Sequence, residues 1–188
     1  MKTLSIVLIL VLTAMVFAAA ASPIGEAAGE YEIKAAMYVN LLRLVDWPDG
    51  SAAESSGPII IGVAGSEDMA KALETIAASR NSSAARRIAV KRLSPAAGTA
   101  GCQTVFVGGA DRKKTEALLQ AVGNSPVLTV GENDRFLDLG GMIDLTLADD
   151  RVQIEVNLDV ARKSGLAISS QLLKIAVVNS GARKGGGK

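Results

Sequence analysis

Between Glu30 and Val45 the apolar residues Ile33, Met37, Leu41, Leu44 and Val45 recur at steps of three and four, with Lys34 and Arg43 between them. This spacing predicts an amphipathic helix. It should stop at Trp47-Pro48-Asp49-Gly50, because proline bars helical geometry from the residue before it and glycine permits a turn. Pro58-Ile59-Ile60-Ile61-Gly62-Val63 is a short, continuous β-branched run, the pattern of a strand buried on both faces. Glu67 to Ala78 then places Met69, Leu73 and Ile76 on one helical side, and Arg86 to Leu93 alternates Ile88 and Val90 with polar or small neighbours as a second strand. Thr104 to Gly108 reads as a third strand, Arg112 to Val122 as a helix, and Val127 to Val130 as a fourth strand.

Beyond this the rhythm changes. Met142 to Leu147 and Val152 to Val156 alternate as two strands joined by the polar Ala148-Asp149-Asp150-Arg151, an antiparallel hairpin. Leu158 to Lys163 reads as a short helix ended by Gly165, and Ser169-Ser170 as the cap of a last helix carrying Leu172, Leu173, Ile175, Ala176 and Val178. The succession predicts an α/β fold: a three-layer α/β/α sandwich with a mostly parallel central sheet of about five to seven strands and a C-terminal antiparallel hairpin. One domain over residues 30–179 and a disordered basic, Gly-rich tail over 180–188 complete the expected organisation.

The first residues follow a different logic. Lys2 precedes an apolar run from Leu4 to Phe17, and Ala18-Ala19-Ala20-Ala21-Ser22 supplies small residues for cleavage. Residues 1–21 therefore read as a secretory signal peptide, cut between positions 20 and 28, which predicts a periplasmic protein with no membrane insertion after processing. The competing reading is a retained anchor, since the stretch is close to the roughly 20 residues of a spanning helix. In an oxidising compartment the single cysteine, Cys102, has no partner in its own chain. It is either buried beside a strand or open to a bond between chains.

Composition narrows the chemistry. The 188 residues are 49% hydrophobic and 21% charged, with 20 basic and 19 acidic side chains. Setting aside Lys2 and the tail residues Arg183, Lys184 and Lys188 leaves 16 basic against the same 19 acidic side chains, the wrong balance for a nucleic-acid binder. The absence of histidine removes His-based zinc sites, Ser-His-Asp triads and Cys-His pairs. Gly62-Val63-Ala64-Gly65-Ser66 follows a strand and precedes a helix, where a phosphate could be cradled, but it lacks the third glycine of a dinucleotide fingerprint and the Lys of a P-loop. Asp134, Asp138, Asp144, Asp149 and Asp150 fit no calcium loop and read as a solvated surface. Ser169-Ser170 with Lys174 reads as a helix cap rather than a nucleophile. No enzyme, metal or cofactor is expected.

Four residues remain as expected partner contacts. Arg135 and Phe136 lie in the loop beyond a strand's carboxyl end, the edge at which α/β sheets tend to bind. The alternative for Phe136 is that it packs on the sheet with Leu139 while Gly140-Gly141 turns the chain. Trp47 at a helix end is either an anchor for a partner or a helix-loop lock, and Asn157 beside the hairpin is equally two-sided.

Three stretches together resemble the YfiR family of periplasmic proteins: Tyr31-Glu32-Ile33-Lys34-Ala35-Ala36 running to Val45-Asp46-Trp47-Pro48; Val127-Leu128-Thr129-Val130-Gly131 through Phe136 to Gly140-Gly141-Met142-Ile143; and Val152 to Leu173. The last, with Ile154-Glu155-Val156-Asn157 and Gly165 to Leu173, is the most specific, because order and spacing both match. The resemblance implies a non-enzymatic regulator that binds the periplasmic sensor domain of an inner-membrane diguanylate cyclase, or another membrane sensor protein, and holds it inactive. Release would raise cyclic di-GMP and promote biofilm, and a homodimer is a further expected association. The first helix, Met37-Tyr38-Val39-Asn40-Leu41, is poorer in aromatics than the family habit. Cys102 resembles one of the family's paired cysteines without its mate, so an intramolecular disulfide is excluded. The rival expectation from a different class is a periplasmic small-ligand binding module using the loops near Gly65 and Arg135.

Overall fold

The β-branched runs become strands and the three- and four-step runs become helices, in a computed structural model that describes residues 24–51, 57–81, 86–94, 98–133, 135–148 and 151–179. The predicted leader, the tail after Asn179, most of the loop after Gly50, and Asp134, Asp149 and Asp150 lie outside the described residues. In chain order the elements are α1 (Ile24–Leu41), a single 3-10 turn (Leu42–Leu44), β1 (Val45–Asp46), β2 (Ile59–Ala64), α2 (Glu67–Arg80), β3 (Ile88–Arg92), β4 (Thr104–Val107), α3 (Arg112–Val122), β5 (Leu128–Gly131), β6 (Ile143–Ala148), β7 (Arg151–Asn157), α4 (Leu158–Lys163), β8 (Ala167–Ile168), α5 (Ser170–Leu173) and β9 (Val177–Asn179).

The main sheet has seven strands in the order β3-β2-β4-β5-β6-β7-β9. Strands β3 to β6 pair in parallel, β7 turns back antiparallel to β6, and β9 runs parallel to β7. Residues alternate across the sheet. Phe106, Leu128, Val130, Ile143, Leu145 and Val156 join α1, α2, α4 and α5 in the larger core, while Val105 and Val107 join Leu119 of α3 and Phe136 in a smaller one on the other face. The expected three-layer α/β/α sandwich with its C-terminal hairpin is the observed fold. Because β2 continues to β3 on one side and β4 to β5 on the other, their helices fall on opposite faces, and the topological switch point lies between β2 and β4.

Two elements depart from the expected pattern. The first helix does not reach Val45. Pro48 favours extended backbone before it, Val45 pairs with Ile168, and the Ser169 N–H donates to the Leu44 carbonyl at 2.9 Å, so the chain is drawn into a small two-stranded sheet of β1 and β8. The last helix ends at Leu173, far short of Val178. Val177 and Val178 are β-branched, the flank of β7 is open to them, and the Asn179 amide donates to the Glu155 carboxylate at 2.6 Å, so the segment becomes the edge strand β9.

The turn after β5 explains two glycines. Phe136 is fully buried, and a Cβ on Gly131 would lie 2.4 Å from its ring while one on Gly141 would lie 2.2 Å away. The ring therefore fills a slot that only glycine leaves open. Gly131→Ala is expected to destabilise the fold by about 1–3 kcal/mol through overpacking, whereas Gly29→Ala, whose Cβ meets nothing within 4 Å on α1, should be neutral or stabilise by up to about 1 kcal/mol. Urea unfolding of the two variants measures the contrast.

Candidate functional site at the carboxyl edge of the sheet

The register puts the ends of β2, β4 and β5 level, Ala64 beside Val107 and Val107 beside Gly131. Strand β6 starts at that level, with Val130 opposite Ile143, so four further residues of the β6/β7 hairpin project about 13 Å beyond the edge. At the switch point the two strand-to-helix loops touch. Gly65 has φ +77°, and a Cβ there would lie 2.2 Å from the Gly108 carbonyl oxygen. A Cβ on Gly108 would meet Ser66 at 2.5 Å and the Glu132 carboxylate at 2.9 Å. Ser66 caps α2 by accepting from the Met69 N–H at 3.2 Å, so this glycine pair serves a close crossing of loops and a helix start.

On the larger-core face α1 seals this edge with charge. Lys34 is 4% exposed, and its ammonium donates to Glu132 Oε2 at 3.1 Å and also pairs with Glu30. The Tyr31 hydroxyl donates to the other oxygen of Glu132 at 3.2 Å, and the Lys34 Nζ lies 5.4 Å from the Tyr31 ring centre. Burial alone would push the lysine pKa down, but the hydrogen bonds and charges of Glu30 and Glu132 outweigh it and hold the pKa above the ordinary value. Burial, then the Glu132 charge, raise the Tyr31 phenol. The place where an α/β sheet offers space for a ligand is, on this face, filled by the protein's own ion cluster.

The expected contact residues are not gathered on one surface. Phe136 belongs to the smaller core, where it has no exposed surface to offer a partner in this conformation, and half-buried Trp47 packs against the larger core on the opposite face. The buried Trp47 indole N–H has no acceptor among the described residues. Asn157 is 7% exposed, caps α4 by accepting from the Val160 N–H, and donates to the Leu137 carbonyl, which ties the hairpin to the Phe136 turn. Arg135 is the exposed member, 4.0 Å from Asp138. Cys102 is buried, its sulfur against Gly62, and burial raises its thiol pKa. Asp144 is buried and accepts from the Asn133 N–H at 3.1 Å.

Two features were missed in the sequence. One is the buried Lys34–Glu132 pair, 98 residues apart, for which helical spacing gives no signal. The other is the apolar edge at the end of the chain, where Ile175, Val177 and Val178 are 67%, 54% and 41% exposed. The consecutive valines could have marked it as a strand. The opposite edge, β3, carries Lys91 and Arg92, with Arg92 paired to Glu67 and Glu74, the charged dressing that keeps an open edge from pairing. Among the described residues β9 carries no such guard.

A family model for YfiR/HmsC-like proteins matches residues 31–177, nearly the whole described chain. The chain belongs to the YfiR/HmsC-like family. Its members are periplasmic regulators of cyclic di-GMP signalling, a regulatory rather than a catalytic family. No helix among the described residues is long and apolar enough to cross a membrane. Among solved structures, a conserved domain protein from Vibrio cholerae is similar at a TM-score of 0.55 and 11% identity over 80% of this chain and 60% of that one, which shows a shared fold. The ABC domain in complex with L-Trp from Streptococcus pneumonia aligns at a TM-score of 0.48 and 13% identity, over 64% of this chain and 55% of that one, too slight a likeness to carry an argument. This YfiR/HmsC-like chain spans less than two thirds of the length of either structure.

Glu132→Gln is expected to destabilise the fold by about 1–3 kcal/mol, because Lys34 keeps its charge in the interior and loses its better-buried partner while Glu30 remains. The pKa values of Lys34 and Tyr31 are both raised on folding, so their contribution is fully present below the unfolded values of about 10 and is lost as pH rises through the folded ones. Unfolding free energy should therefore fall above about pH 10, less steeply in Glu132→Gln, as urea titrations from pH 7 to 11 can measure.

Proposed function

We propose that this protein, exported by its apolar leader, binds the periplasmic sensor domain of an inner-membrane diguanylate cyclase and holds that enzyme inactive. The observation that carries the reading, beyond family membership, is the exposed apolar edge formed by Ile175 and β9. A strand at the edge of a sheet with exposed valine side chains is suited to pairing with a strand or apolar surface of another protein. The carboxyl edge of the larger-core face supports the same reading from the other direction, since it is filled by Lys34 and Glu132 rather than left open for a substrate.

Repression by binding requires a preference for the inactive state of the target, because equal affinity for both states would shift nothing. A preference of about a hundredfold supplies roughly 2.7 kcal/mol, enough to silence a cyclase whose two states are otherwise near balance. Arg135, exposed beside the hairpin, is the second proposed contact.

The test is cellular cyclic di-GMP in a deletion strain complemented with the exported chain, a leaderless chain, or the exported Val177→Lys variant. Deletion should raise the nucleotide, only the exported wild-type chain should restore it, and Val177→Lys should restore less than half. An unchanged level on deletion would overturn repression, and full restoration by Val177→Lys would overturn the β9 surface.

A further inference from the structure

On the face opposite α1 the sheet is covered unevenly. Helix α3 packs Leu118 and Leu119 into the smaller core, and beside it, over the switch point between β2 and β4, the described residues leave a cleft of about 650 Å3. Its floor is the glycine crossing of Gly65, Gly108 and Gly109, and its walls are Leu93 on one side and Leu118 and Ala121 on the other. We propose that this cleft binds a small amphipathic anion, with the apolar body between Leu93 and α3 and the charged group at the amino end of α3.

Three observations support the ligand class. The volume falls in the range of about 300–1,000 Å3 typical of small-molecule sites. The cleft has room because Ala117 and Ala121, one turn apart on α3, are the smallest side chains that keep a helix. Charge at the mouth is positive: the first turn of α3 reads Arg112-Lys113-Lys114 and carries no acid, the reverse of what a helix dipole favours. Arg112 is paired with Glu116 and Lys114 with the N-cap Asp111, whose carboxyl the Lys114 N–H and ammonium hold below its ordinary pKa. Lys113 has no ion pair among the described residues, and the N–H groups of Gly109 and Ala110 find no acceptor there either. A carboxylate or phosphate at this point would meet an unpaired ammonium and free backbone donors together.

This inference is independent of cyclase repression, and its test involves no partner. The exported protein, labelled with nitrogen-15, is titrated with octanoate and separately with neutral octanamide while the amide resonances of Gly65, Gly108, Gly109 and Lys114 are followed. Octanoate should shift them saturably, octanamide should bind about fivefold or more weakly, Lys113→Glu should weaken octanoate about fivefold, and Ala121→Phe should abolish the shifts. Ala121 is exposed, so the bulkier ring is accommodated without disturbing the core, and unchanged resonances on the far face verify this. Absence of saturable shifts, equal binding of octanoate and octanamide, or shifts that survive Ala121→Phe would each overturn the proposal.

Discussion

Helix α1 is held at the centre of the sheet by one buried pair of hydroxyls, and the remaining layers take their places from it. Tyr38 has no exposed surface; its hydroxyl lies 2.6 Å from Thr104 Oγ1, and Thr104 in turn donates to the Leu128 carbonyl at 2.9 Å. Since the Thr104 proton is spent on Leu128, the tyrosine is the donor. Burial holds that phenol far above its ordinary pKa, so the bond persists across the physiological range. The Tyr38 ring packs 6.0 Å from Phe106, which fixes α1 over β4. One turn towards its start, Lys34 then reaches the carboxyl edge and Glu132.

That placement divides the sheet into regions with different fates. The carboxyl edge under α1 is closed by internal charge, a costly arrangement in which each member depends on the others for solvation. Among the described residues the same edge on the α3 face is left as a cleft, because a single helix covers it and lines it with Ala117 and Ala121. The far edge at β9 differs again: among the described residues it shows an edge strand with exposed apolar side chains. A regulator benefits from such separation: one surface can meet a partner protein while another meets a small molecule, with a rigid sheet between them through which the two can be coupled.

Most of this architecture was legible in the chain, and the failures have physical causes. Strands β2, β4 and β5 and helix α3 were evident because local pattern and tertiary demand agree there; Arg112 to Val122 is read identically from sequence and structure. The end of α1 and residues 174–178 were misread because pairing overrode local pattern: Val45 was drawn to Ile168, and Val177–Asn179 to the flank of β7. Phe136 was ambiguous in the sequence because an aromatic residue in a loop serves packing and recognition equally well. Its slot between Gly131 and Gly141 forms only when residues ten apart in the chain meet. Lys34 looked like an ordinary charged residue on the solvent side of a helix, and no local signal betrays a buried ion pair whose partner comes from a strand end nearly a hundred residues away.

The central claim is that this YfiR/HmsC-like protein acts through the β9 edge. The most direct measurement is amide hydrogen exchange of the protein, alone and with the purified sensor domain of the cyclase proposed as its target. The account predicts partner-dependent protection concentrated in residues 175–179 and the adjoining β7, with exchange at Lys34 and along α1 unchanged. Protection confined to α1, or to the α3 face with β9 exchanging as in the free protein, would contradict it.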